Sequence, residues 1–193
     1  QLPALRGAPL DFGGAIRFLG YTMPSDRLTG DTHTVTLCWE VLQTTTRPAA
    51  FSLKFVHDGV IVADRTSVHG LGRYPSAAWQ PGALFCDDVA VMLDDPDVAD
   101  DPQPQPGQVY DLLLVMLDAA TKAVDWTAAA PDGQPVEYPI IGQVISPAGD
   151  MRDLIQTPLT PSTITFPGFA RLAGYATSAA PAPVAISYIA FHP

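Results

Sequence analysis

The stretch TVTLCWEVLQTTTRPAAFSLKFVHDGVIVADRT, residues 34–66, decides the fold. Val35, Leu37, Trp39 and Val41 alternate with Thr34, Thr36, Cys38 and Glu40. That period of two turns one face of a strand to a core and the other to water. The pattern resumes at Phe51, with Phe51, Leu53 and Phe55 on one face and Ser52 and Lys54 on the other. His57, Asp58 and Gly59 then separate it from a second apolar run at 60–63. An Asp-Gly pair between two such runs signals a hairpin, because both residues tolerate positive φ. Residues 51–66 are therefore expected to form a hairpin beside a half-buried strand at 34–41.

Working outward, further strands are expected at 15–22, 83–93, 109–117, 136–145 and 185–191, each bounded by Pro, Gly or Asp. Twenty prolines and 15 glycines punctuate the chain too often for long helices, and the intervals are rich in Val, Ile, Thr, Phe and Tyr. Seven or eight short strands with turns between them predict an all-β, two-sheet antiparallel β-sandwich, immunoglobulin-like or jelly-roll-like. The run DDPDVADDPQPQPG at 94–107 lacks apolar periodicity and reads as an exposed connection. Around Pro147, Pro158 and Pro161 the chain becomes irregular, as in a linker or a surface strap. The expected organisation is a sandwich at 1–146, a linker at 147–165 and a separate C-terminal piece at 166–193.

That last piece restarts the opening of the chain. Phe12, Gly14, Arg17, Gly20 and Tyr21 recur as Phe166, Gly168, Arg171, Gly174 and Tyr175, at a constant offset of 154 residues. Five matches within ten positions indicate a module repeat, with the second copy cut short at Pro193. Two strands are marginal alone in water, so the C-terminal pair is expected to dock on the first sandwich or to swap onto another chain.

Composition narrows the function classes. With 47% apolar and 16% charged residues, the chain is too hydrophobic for disorder. No apolar run approaches the roughly 20 residues of a membrane span, so no direct membrane insertion is expected. Twenty acids against 10 bases give a net charge of −10, and Lys54 and Lys122 are the only lysines. No basic stripe exists to neutralise phosphates, which excludes nucleic acid as a partner. The first residue is Gln1, and the chain is read as a fragment or matured form of a larger protein, with a membrane-anchored parent left open. Cys38 and Cys86 match no metal or redox spacing. Two separate buried thiols are the plain expectation, and a bridge between neighbouring strands is the alternative.

The order of motifs resembles the β-sandwich modules that follow the membrane-spanning part of bacterial glycosyltransferases of the protein O-mannosyltransferase type. The resemblance covers most of 10–125. It rests on FGGAIRFLGY at 12–21, VTLCWEV at 35–41, FVHDGVIVADR at 55–65, GRYPSAAWQPG at 72–82 and PGQVYDLLLVMLDAATKAV at 106–124. It implies an extracytoplasmic accessory module attached to an enzyme whose catalytic part lies elsewhere. The chain departs from that pattern at Cys38 and Cys86 and in a longer, more acidic loop.

The chemistry on offer is sparse. Arg73, Tyr74, Trp79 and Gln80 gather two aromatics, a guanidinium and an amide in one loop. Such groups stack on sugar faces and bond hydroxyls, so they are the candidate glycan-binding residues; the competing reading has Tyr74 and Trp79 plugging an open end of the sandwich. Trp39 belongs to the core by its alternation, whereas Trp126 follows a strand end. Asp87, Asp88, Asp94, Asp95, Asp97, Asp100 and Asp101 match no calcium loop and read as a solvated acidic connection, so no metal and no cofactor is expected. His33, His57, His69 and His192 are scattered, and His57 and His69 sit beside glycine turns as expected exposed residues. The nucleophile and metalloprotease motifs G-x-S-x-G and H-E-x-x-H do not occur. The sequence therefore predicts a non-catalytic accessory or binding module for a glycan or a partner protein. A structural spacer is the second reading, and a small hydrolase with paired carboxylates in a groove the third.

Overall fold

A computed structural model of the chain describes residues 4–93 and 103–147, together with four two-residue strands between 160 and 175. The chain divides into two compact units, Gln1–Pro147 and Ala148–Pro193. In the first unit the strands are β1 (Leu10–Phe12), β2 (Ile16–Thr22), β3 (Thr32–Val41), β4 (Ala49–His57), β5 (Val60–Val68), β6 (Leu84–Met92), β7 (Val109–Asp118), β8 (Ala128–Ala129), β9 (Pro135–Val136) and β10 (Ile140–Ile145). They form two antiparallel sheets, ordered β6-β3-β2-β1-β8-β9 and β10-β7-β4-β5. This is the expected two-sheet β-sandwich. No helix among the described residues is long and apolar enough to cross a membrane.

The alternation read at 34–41 extends over all of β3, whose inward residues Val35, Leu37, Trp39 and Val41 are fully buried. Phe51, Leu53 and Phe55 of β4 and Tyr110, Leu112 and Leu114 of β7 meet them from the other sheet. Trp39 joins the layers, with its ring centroid 5.6 Å from both Phe18 and Phe51. Asp58 and Gly59 take φ of 49° and 78° at the β4–β5 turn. Positive φ at both central positions matches the twist of the flanking strands, so the hairpin runs on beyond 51–66 to pair Ala50 with Val68.

The predicted strand at 136–145 is two strands in different sheets. β9 closes the six-stranded sheet and β10 the four-stranded one, and the chain crosses between them at Glu137–Pro139. Pro139 brings no N–H to a ladder, which ends the pairing there. β1 and β8 are too short to announce themselves by periodicity.

The cysteines are not separate thiols: a disulfide joins Cys38 to Cys86. The cause is register. β3 and β6 pair from Thr32↔Met92 to Glu40↔Leu84, which sets Cys38 directly opposite Cys86 with their Cα atoms 4.1 Å apart. Both residues point away from the core, on the side where Thr36 donates a 2.6 Å hydrogen bond to Asp88.

Two glycines set close approaches. Gly20 has φ of 143°, and a Cβ there would lie 2.6 Å from the Arg6 carbonyl oxygen. The chain before β1 is bound at that point, Arg6 N–H donating to Tyr21 O and Tyr21 N–H to Arg6 O at 2.8 and 2.9 Å. At Gly142 of β10 a Cβ would stand 2.0 Å from the Tyr21 hydroxyl, so Tyr21 rests on bare backbone of the opposite sheet.

In the second unit β11 (Thr160–Pro161) pairs antiparallel with β14 (Gly174–Tyr175), and β12 (Thr165–Phe166) with β13 (Ala170–Arg171). The remainder of the expected linker, the predicted strand at 185–191 and the acidic run 94–102 lie outside the described residues.

Candidate functional site

The loop between β5 and β6 holds the residues singled out for sugar stacking, and it serves them differently. It opens with His69–Gly72, where Gly70, Leu71 and Gly72 have φ of 60°, 53° and 85°, and continues through a 3-10 turn at Ser76–Ala78. Arg73 and Gln80 are exposed. Tyr74 is half-buried, edge-on to Phe85 with centroids 4.8 Å apart. Trp79 is only 2% exposed, 5.3 Å from His69 and 6.4 Å from Trp126. Its ring therefore presents no stacking face to solvent, and the loop does not bring the four residues together on one surface.

His69 was expected in an exposed turn and is instead 1% exposed. It stands inside an aromatic box, with Trp39 and Phe51 at 5.0 Å and Trp79 and Phe85 at 5.3 Å. Its Nδ1–H donates to Asp87 Oδ2 at 2.7 Å, and the Gly70 N–H donates to Asp87 Oδ1 at 2.6 Å. Both carboxylate oxygens are thus engaged, as a buried charge requires. The imidazole Nε2 and the indole N–H groups of Trp39, Trp79 and Trp126 have no hydrogen-bond partner among the described residues. Asp87 and Asp88 therefore do not belong to the acidic connection with which the sequence grouped them. The signal for this was present: Asp87 shares the alternation of Phe85, Val89 and Val91, and a carboxylate on that apolar face needs a buried partner.

Ser76, the nearby buried hydroxyl, is committed to the backbone. It donates to the Arg47 carbonyl at 2.6 Å and accepts from the Ala49 N–H at 3.1 Å. A buried imidazole, a bidentate carboxylate and a fully bonded serine make a packing device that ties this loop to β4 and β6.

An open groove lies on another side of the sandwich. It has a volume of about 510 Å³ and is lined by Val115, Val124, Val136 and Glu137 together with the buried Phe12 and Trp126. Val124 and the adjacent Tyr138 are 65% and 69% exposed. Trp126 is held by the Arg47 guanidinium, which sits 4.6 Å from its ring centroid and pairs with Asp125 at 2.5 Å. The sequence reading missed this groove because its lining comes from separate strands and from the crossing at Glu137–Pro139.

No group of three or more His, Cys, Asp or Glu side chains converges among the described residues. No protein-family model matches the chain. No curated protein matches it either.

Proposed function

We propose that the chain is a non-catalytic accessory module, immunoglobulin-like or jelly-roll-like in type, on the extracytoplasmic side of a larger cell-surface or membrane protein. The observation that carries this reading is the Cys38–Cys86 bridge, since disulfides form and persist where the surroundings are oxidising. The sequence resemblance to modules of bacterial membrane glycosyltransferases agrees in compartment and in accessory role.

Its work is binding, and the ligand is a neutral oligosaccharide. The groove offers Val115, Val124, Pro135 and Val136 as an apolar lining for a sugar face, and the Glu137 carboxylate and Thr127 hydroxyl for its hydroxyl groups. A net charge of −10 disfavours acidic glycans. The loop of Arg73, Tyr74, Trp79 and Gln80 gives way to this groove because its central aromatic, Trp79, is buried, whereas Val124 of the groove is exposed.

A glycan array probed with the intact, oxidised chain tests the reading, followed by titration of the Tyr138→Ala and Glu137→Gln variants. Binding of neutral glycans that weakens in both variants supports it. If the intact chain binds no glycan, the oligosaccharide part fails; a chain that stays reduced on the extracytoplasmic side would remove the argument for location.

A further inference from the structure

The described strands of the second unit repeat the register of the hairpin that opens the first. In the first unit β1 and β2 pair Phe12 with Ile16 and Asp11 with Arg17, and beyond them Arg6 bridges to Tyr21. In the second, Phe166 pairs with Ala170, Thr165 with Arg171, and Thr160 with Tyr175. Each of these pairs is its counterpart displaced by 154 residues, the offset of the sequence echo. Both hairpins also slip register by one residue between the inner and the outer pairs, before Gly20 in one and before Gly174 in the other. Sequence identity at five positions does not require the same register and the same slip; a common fold does.

What the first hairpin does for its sandwich is plain. β2 pairs along β3, β1 pairs with β8, and Phe12, Ile16 and Phe18 are fully buried, with Phe12 and Phe18 against Trp39. Phe166, Ala170 and Leu172 keep an apolar residue at each equivalent position. Among the described residues of the second unit, no further strand pairs with either hairpin edge.

We infer that 160–175 is the opening hairpin of a second sandwich of the same kind, and that its Gly174–Tyr175 edge docks a β3-type strand with the alternation of Val35, Leu37, Trp39 and Val41. A folded second copy of this chain is not the occupant, because its β3 is already paired on both sides, with β2 and with β6. The partner is a sandwich segment that lacks an opening hairpin of its own, completed by strand addition.

The test transplants 160–175 over 6–21 in the full chain, so that the second hairpin must dock on this chain's own β3. Pro161 would then stand in place of Gly7 and Pro167 in place of Gly13, whose φ values of 84° and 55° are closed to proline. A second transplant therefore carries Gly at both positions, and a third carries a scrambled 160–175. The inference predicts that at least one unscrambled transplant melts in a single cooperative transition and binds no apolar dye in excess of the parent. It is overturned if both unscrambled transplants behave like the scrambled one. Independently, the paired substitutions Thr165→Cys and Arg171→Cys should form a disulfide in the full chain more than ten times faster than Thr165→Cys with Ala170→Cys. Equal rates would dismiss the shared register.

Discussion

His69 Nδ1 lies 2.7 Å from Asp87 Oδ2, and the same carboxylate holds the Gly70 N–H, so one side chain of β6 fixes both the ring and the backbone of the loop that closes this end of the core. Replacing Asp87 by Ala leaves two buried donors unpaired. The cost is expected at about 2–4 kcal/mol, the penalty for stranded buried polar groups. Asp87→Asn keeps one acceptor oxygen and should cost less. Urea melts of the three proteins check the order; an Asn variant as damaged as the Ala variant would contradict it.

Trp79→Ala removes a ring from that same box and should cost about 3–5 kcal/mol, as large aromatic truncations in cores do. Arg73→Ala and Gln80→Ala, at exposed positions, should stay within about 0.5 kcal/mol of the parent. Equilibrium unfolding separates these outcomes, and a Trp79→Ala protein of unchanged stability would place the indole outside the core.

The Cys38–Cys86 bridge closes a loop of 48 residues. In the chain-entropy account, opening a loop of that length costs about 4 kcal/mol through the unfolded state. The double variant Cys38→Ala, Cys86→Ala should therefore melt lower than the oxidised parent and close to the parent in excess dithiothreitol. Identical melting of parent and double variant would show that the bridge contributes nothing.

Burial holds the His33 imidazole below its ordinary value, against the opposing pull of the Asp26 carboxylate. The unfolded chain then binds a proton that the folded chain refuses. Stability due to His33 is complete above its unfolded pKa of about 6.5 and is lost as pH falls toward the lower folded value. His33→Phe, which keeps an aromatic edge against Phe55, should flatten the decline in melting temperature between about pH 7 and pH 5 relative to the parent. Parallel curves for the two proteins would exclude His33 as the source.

Gly142→Ala drives a methyl group into the Tyr21 ring and hydroxyl and should destabilise by about 1–3 kcal/mol, the usual cost of overpacking. In a Tyr21→Leu background the same change should cost less than half as much. A double-mutant cycle measures the coupling.

What could be read from the sequence was whatever obeys a short period. The alternation in β3 and the Asp-Gly turn between β4 and β5 depend on residues a few positions apart, and both are where the pattern placed them. The opposition of Cys38 and Cys86 is a matter of register between strands 48 residues apart, which no local period encodes. His69 was misjudged because a neighbouring Gly70 looks the same whether the turn faces water or a core. Only the acidic residue on the inward face of β6 hinted otherwise. The groove lined by Val115, Val124 and Val136 was hidden for a related reason, since these residues meet only after β7, β9 and the segment between β7 and β8 have taken their places.

The position of the disulfide also sets how far the module can be stretched. The stretch between the cysteines, which stand 48 positions apart, includes all of β4 and β5. A pulling force applied at the two chain ends passes across the sulfur atoms and never reaches that stretch. Unravelling the oxidised module should release roughly 160 Å less contour length than unravelling the reduced one, at about 3.3–3.6 Å per residue. Between a tethered point and a bound surface, the bridge acts as a stop on extension. Half of the four-stranded sheet stays off the load path even after the rest has given way.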